Sequence, residues 1–165
     1  MDLILARPLA RHWIITRTVA LTTLVIVAMV AVMVAGTWAG LRMFAPAGVA
    51  WPAASLVNAL AINVGMLTLC WGGVAMAIGA ASSRRSVAGG AAGVLALGTF
   101  LLDYVARLWQ PAEKIAWISP FRYYNPFDLI TGNPLPVKNL VVLGAVAVAG
   151  FAAAYVLFAR RDISR

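Results

Sequence analysis

Four long apolar runs, at about residues 18–41, 57–81, 87–106 and 140–158, decide most of what this chain can fold into. Each is near the roughly 20 residues that a helix needs to cross about 30 Å of hydrocarbon. Lys and Arg collect at the ends of the runs rather than inside them. The chain is 63% hydrophobic and 11% charged, with a mean hydropathy of +0.91. Soluble domains hold about 45–50% apolar and about 25% charged residues. A water-soluble fold would leave far too much apolar surface uncovered. Backbone groups in lipid must be satisfied internally, so the spans are helices or a closed barrel. The runs are rich in Ala and Leu and lack ten-residue alternation, which selects helices. The expectation is an all-α membrane protein with four transmembrane helices in a single domain, residues 1–165.

Residues 107–139 break the pattern. The stretch WQPAEKIAWISPFRYYNPFDLITGNPLPVKN, from Trp109 to Asn139, holds five of the eight prolines: Pro111, Pro120, Pro126, Pro134 and Pro136. Proline ends helices and fixes turns. The stretch also holds Trp109, Trp117, Phe121, Tyr123, Tyr124 and Phe127. Aromatic rings with a polar edge favour the membrane–water interface. The segment is expected to form short amphipathic pieces at one membrane face, dipping in as a re-entrant-like hairpin before the last helix. The competing expectation is an ordinary exposed loop.

The other stretches are simpler. Residues 1–17, MDLILARPLARHWIITR, spread Arg7, Arg11 and Arg17 among apolar positions. No small-residue cleavage site follows, so a signal peptide is not expected. A short basic amphipathic helix from Pro8 along a membrane surface is. Gly36 and Gly40 form a G-x-x-x-G pattern in the first run, and Gly89, Gly90, Gly93 and Gly98 offer the third a smooth face for close packing. Asn58 and Asn63 lie on the second run, where buried amides are expected to face other helices. Asp103 and Arg107 are four apart and can pair on one helix face. The single cysteine, Cys70, is expected as a small core residue.

Charge then orients the chain. With four spans both termini share a side, which holds Arg7, Arg11, Arg17, Arg84, Arg85, Arg160, Arg161 and Arg165. Arg42, Arg107, Lys114, Arg122 and Lys138 fall on the other. The positive-inside rule places both termini in the cytoplasm and residues 107–139 outside. The net charge of +8 is therefore a topology and lipid-headgroup signal rather than a nucleic-acid footprint.

No catalytic pattern occurs. His12 is the only histidine, and no Cys/His cluster has metal spacing. Neither G-x-S-x-G nor H-E-x-x-H is present, and Gly89–Gly93 lacks the Lys-Ser/Thr of a P-loop. Asp103, Glu113 and Asp128 show no spacing that fixes an acid–base pair. The chain is expected not to be an enzyme, with no cofactor of its own.

Several motifs together resemble the permease subunit of ABC-2-type exporters. Leu5-Ala-Arg-Pro-Leu-Ala-Arg11 before an apolar run is similar to the signature leading into that family's third helix. Ile118-Ser-Pro-Phe-Arg-Tyr-Tyr-Asn-Pro126 is similar to the segment between its last two helices. The long amphipathic gap matches in position, and Phe158-Ala-Arg-Arg-Asp-Ile163 is similar to its tail. The family's core has six spans and this chain about four. The N-terminal pair is wanting, which fits the C-terminal part of a longer permease, a shortened reading frame, or a part completed by another chain.

The resemblance implies a mechanism. A separate ATP-binding subunit, carrying ATP and Mg, would push on cytoplasmic segments of the permease. Arg7, Leu9, Arg11, Trp13 and Arg17 would form the docking surface, with Arg84 and Arg85 a second one. Other implied partners are a second permease subunit or the missing N-terminal helices, and membrane lipid. The external segment would cap the exit of a substrate pathway in the cell membrane. The alternative is a four-helix scaffold that binds partners and transports nothing.

Overall fold

The computed structural model describes residues 11–82 and 85–160. Every regular element among them is helical, in the order α1 (Arg11–Phe44), α2 (Ala54–Ala81), α3 (Arg85–Ala106), α4 (Gln110–Glu113), α5 (Pro126–Ile130) and α6 (Val137–Arg160). Two 3-10 turns, Ala116–Ile118 and Pro120–Tyr123, lie between α4 and α5. Four helices, α1, α2, α3 and α6, are long and apolar enough to cross a membrane.

The helices run past the expected spans by a few residues at most ends. The largest difference is at α1. Residues 11–17 are not a separate segment but the first turns of one 34-residue helix. No Gly or Pro occurs between Arg11 and Ala35, so nothing interrupts the hydrogen-bond ladder. At about 1.5 Å per residue α1 is about 51 Å long, more than the hydrocarbon thickness. Threonine hydroxyls inside the helices bond back to their own chain. Thr18, Thr37, Thr68 and Thr99 each donate to the carbonyl four residues earlier, at 2.8 to 2.9 Å. This satisfies a polar group where no water competes.

The centre of the bundle is the contact of α2 with α6, the most extensive in the chain. Their backbones touch. A Cβ added at Gly73 would lie 2.5 Å from the Ala147 carbonyl oxygen, and one at Gly150 would lie 2.5 Å from the Gly73 carbonyl carbon. Toward the other end Met66 reaches within 3.1 Å of a Cβ built at Gly144. Residue numbers rise together along the seam, so α2 and α6 run parallel. Cys70, Leu143, Ala147 and Ala154 are buried here, as expected for the lone thiol. The helix α1 lies antiparallel to α2, with Val30 against Gly65 and Thr22 against Gly72. Tyr155 and Thr16 join α6 to the start of α1 through a 2.9 Å hydrogen bond between their hydroxyls.

The glycines singled out for close packing are elsewhere. Gly36, Gly40, Gly89, Gly90, Gly93 and Gly98 have nothing within 4 Å of an added Cβ. In α3 the shielded positions are Ala88, Ala92, Ala96, Thr99, Leu102, Asp103 and Ala106, which but for Leu102 follow one another at spacings of four or three residues. The glycines fall outside this stripe and are exposed. Composition marked α3 as a packing helix, but its alanine stripe, not its glycine stripe, meets the chain's own bundle.

Candidate functional site

The segment between α3 and α6 is built from short pieces because proline recurs through it. Pro111, Pro120 and Pro126 each fall in the first turn of a helical element. Their missing N–H costs nothing there, and their fixed φ suits the helix. Ser119 caps the turn that starts at Pro120, accepting a bond from the Phe121 N–H at 3.2 Å. Gly132, with φ of 90°, ends α5. Its N–H donates to Leu129 and that of Asn133 to Asp128, a paired closure that requires a left-handed residue at that point.

This segment does not loop away from the bundle. Ser119 is fully buried, and its hydroxyl donates to the Thr99 carbonyl at 2.8 Å. Thr99 is seven residues inside the C-terminal end of α3, or about 10 Å along the axis. Phe121 reaches further across. Its ring centroid is 5.7 Å from that of Trp71 on α2 and 5.5 Å from that of Phe100 on α3, the second contact edge-on. Edge-on and tilted arrangements suit the ring quadrupoles. Trp71 lies ten residues from the C-terminal end of α2, well inside the bundle.

The six aromatics of the segment therefore divide. Phe121 packs inward. Tyr123 donates to the Trp117 carbonyl at 3.1 Å, tying the two turns together. Tyr124 lines a small cavity of about 280 Å³ with Phe100, Tyr104, Asp103 and Arg107. Trp109, Trp117 and Phe127 are exposed. Ser119, Thr99, Phe100 and Trp71 had no role assigned from the sequence. The Ser-Pro pair at 119–120 carried a signal for the first of these, since Ser before Pro is a common helix start.

The polar groups pair separately. Arg107 binds Asp103 through Nε and Nη2 at 3.1 and 3.0 Å, as the spacing predicted. Arg122 meets Glu113 at 3.5 Å on the surface. Asn125 donates to Asp128 at 2.6 Å. Each of the three carboxylates thus has its own partner. Among the described residues no group of His, Cys, Asp or Glu is arranged to hold a metal ion.

The two asparagines of α2 also separate. Asn63 is fully buried, as expected. Asn58 is exposed, against expectation. Because α2 begins at Ala54, Asn58 sits near its first turn, beside a cleft of about 560 Å³ shared with Leu129, Asn133 and Leu135.

At the opposite end, where α1 begins and α6 finishes, Trp13 is half exposed and the Arg17 guanidinium lies 5.8 Å from its ring centroid. Next to them is an apolar groove of about 500 Å³ lined by Ile14, Ile15, Met76 and Phe158. Arg7, Leu9 and Arg84 lie outside the described residues. Arg11 and Arg85 begin α1 and α3.

The class these features define is an all-helical protein with four helices fit to span a membrane and a proline-rich segment packed against them. No protein-family model matches the sequence, and searches of curated proteins and of solved structures return no match.

Proposed function

We propose that the chain is the membrane-spanning permease subunit of an ATP-driven ABC-2-type exporter. It forms part of the substrate pathway and couples to a separate ATPase subunit that carries ATP and Mg. The observation that carries this reading is the placement of the 107–136 hairpin. Ser119 and Phe121 are held on Thr99, Phe100 and Trp71, and these contacts support a segment that dips between the helices as a re-entrant element would. An ordinary exposed loop would not bury a serine against the side of a neighbouring helix.

In this reading the hairpin faces the outside and closes the exit. Both termini lie in the cytoplasm of a multi-pass protein in the cell membrane, where Trp13 and Arg17, with the arginines on either side, meet the ATPase and lipid headgroups. The open glycine faces of α1 and α3 are covered by a second permease subunit, further helices or lipid. The chain itself performs no catalysis.

The test is purification in mild detergent from the native host. Co-purification with a P-loop ATPase, weakened by Trp13→Ala with Arg17→Ala, supports export. Absence of any ATPase, with unaltered transport in a deletion strain, favours the non-transporting scaffold. Labelling that finds the termini outside the cell overturns the topology.

A further inference from the structure

Helix α2 holds a polar group that the packing around it does not satisfy. Asn63 is fully buried, and neither its Nδ2 nor its Oδ1 has a hydrogen-bond partner. The indole Nε1 of Trp71, two turns further along the same helix, is also buried and unpartnered. Thr68 of the same helix behaves otherwise, donating its hydroxyl proton to the Val64 carbonyl at 2.9 Å. A buried amide with unmade bonds raises the free energy of the arrangement that buries it. Leucine at this position would carry no such cost.

The α2–α6 seam has one tight point about which it can part. There it is closed by backbone against backbone, at Gly73, Ala147 and Gly150. Asn63, Cys70 and Gly73 follow at spacings of seven and three, so they share one face of α2. The other brace on this half of α2 is the tilted contact of Phe121 with Trp71, and Phe121 is itself held edge-on by Phe100 of a separate helix.

We propose that α2 and α6 have two arrangements: the packed one seen here, and one in which they part on the hairpin side of the Gly73–Gly150 contact and admit a polar group to the Asn63 amide. That group is water or the uncharged polar part of a molecule passing between the helices. Parting lifts Phe121 from Trp71, and the indole N–H gains a partner in the same step. The inference concerns the packing of this chain alone and stands or falls apart from the export reading.

Cys70 is the only thiol and is completely shielded in the packed arrangement, so it reports the parting directly. The full chain in phosphatidylcholine vesicles is treated with N-ethylmaleimide. The expected result is slow but complete labelling of Cys70, about tenfold slower in Asn63→Leu, because removing the unmade bonds favours the packed state. Asn63→Val, closer to asparagine in volume, covers the case in which leucine is too large for the site. Ala154→Cys in a Cys70→Ser background, at a site also buried but beyond Gly150, separates parting from global unfolding. It should label at least about tenfold more slowly than Cys70 if each opening is local. Three results overturn the proposal: no labelling of Cys70 over hours, no slowing in either Asn63 variant, or equal rates at 70 and 154. Arms with and without an amphiphilic alcohol distinguish the two sources of the polar group. Acceleration by the alcohol assigns the site to a passing molecule, and an unchanged rate assigns it to water.

Discussion

The α2–α6 seam and the outer face of α3 are made of the same small residues, and they do opposite things. At the seam Gly73 and Gly150 let two backbones touch, and a single methyl at either would strike a main-chain atom. On α3, Gly89, Gly90, Gly93 and Gly98 face open space. Small residues permit close approach without compelling it. What compels it here is the rest of the seam: Leu143 and Ala154 on α6 and Cys70 on α2 are all buried. The α3 glycines have no such company among the described residues.

Four substitutions break or sharpen this contrast. Gly73→Leu should have the largest effect, since backbone on α6 cannot yield as a side chain can. A loss of about 3 kcal/mol or more, or failure to fold, is expected in detergent unfolding. A stable Gly73→Leu protein would mean that the seam is not the centre of the bundle.

Ser119→Ala comes next. It removes the bond to the Thr99 carbonyl and the cap on the Pro120 turn at a fully buried site. A loss of about 1–3 kcal/mol is expected, with faster protease cleavage between residues 107 and 136. Arg107→Gln leaves the Asp103 carboxylate, itself mostly buried, without its ion partner. Because Arg107 is largely exposed, the expected loss is only about 1 kcal/mol, and it should shrink further in high salt.

Gly93→Leu should have the smallest effect on the isolated chain, below about 0.5 kcal/mol by the same unfolding measurement. The comparison sharpens if this variant, unchanged in stability, loses a partner that the parent chain retains on a sizing column. That outcome would show the α3 face to be an interface rather than a lipid-facing surface.

Much of the fold was legible without coordinates, and the reason differs by element. The four spans follow from hydropathy and length, because in lipid a helix satisfies its own backbone and needs no partner to exist. The Asp103–Arg107 pair follows from a spacing of four. The buried Cys70 follows from its place in an apolar run. The hairpin pieces follow from proline positions. None of these depends on contacts distant in sequence.

Other positions needed the helix neighbours to be known. Asn58 and Asn63 lie five residues apart on one helix, yet one is exposed and the other fully enclosed. Five residues turn a helix by about 140° from full register, so two polar residues at that spacing face different surroundings. Trp71 and Phe121 are fifty positions apart and meet only because the hairpin turns back between α2 and α3.

The amino-acid sequence by itself determined that this chain forms four helices long and apolar enough to cross a membrane, because runs of that length and composition suit a backbone that satisfies its own hydrogen bonds. It also determined that a proline-broken aromatic segment precedes the last helix. Only the tertiary structure decided which small residues touch, that Ser119 and Phe121 enter the bundle, and that the Asn63 amide is buried without a partner. Burial is a property of a surface and its neighbour together, and a sequence carries only the surface.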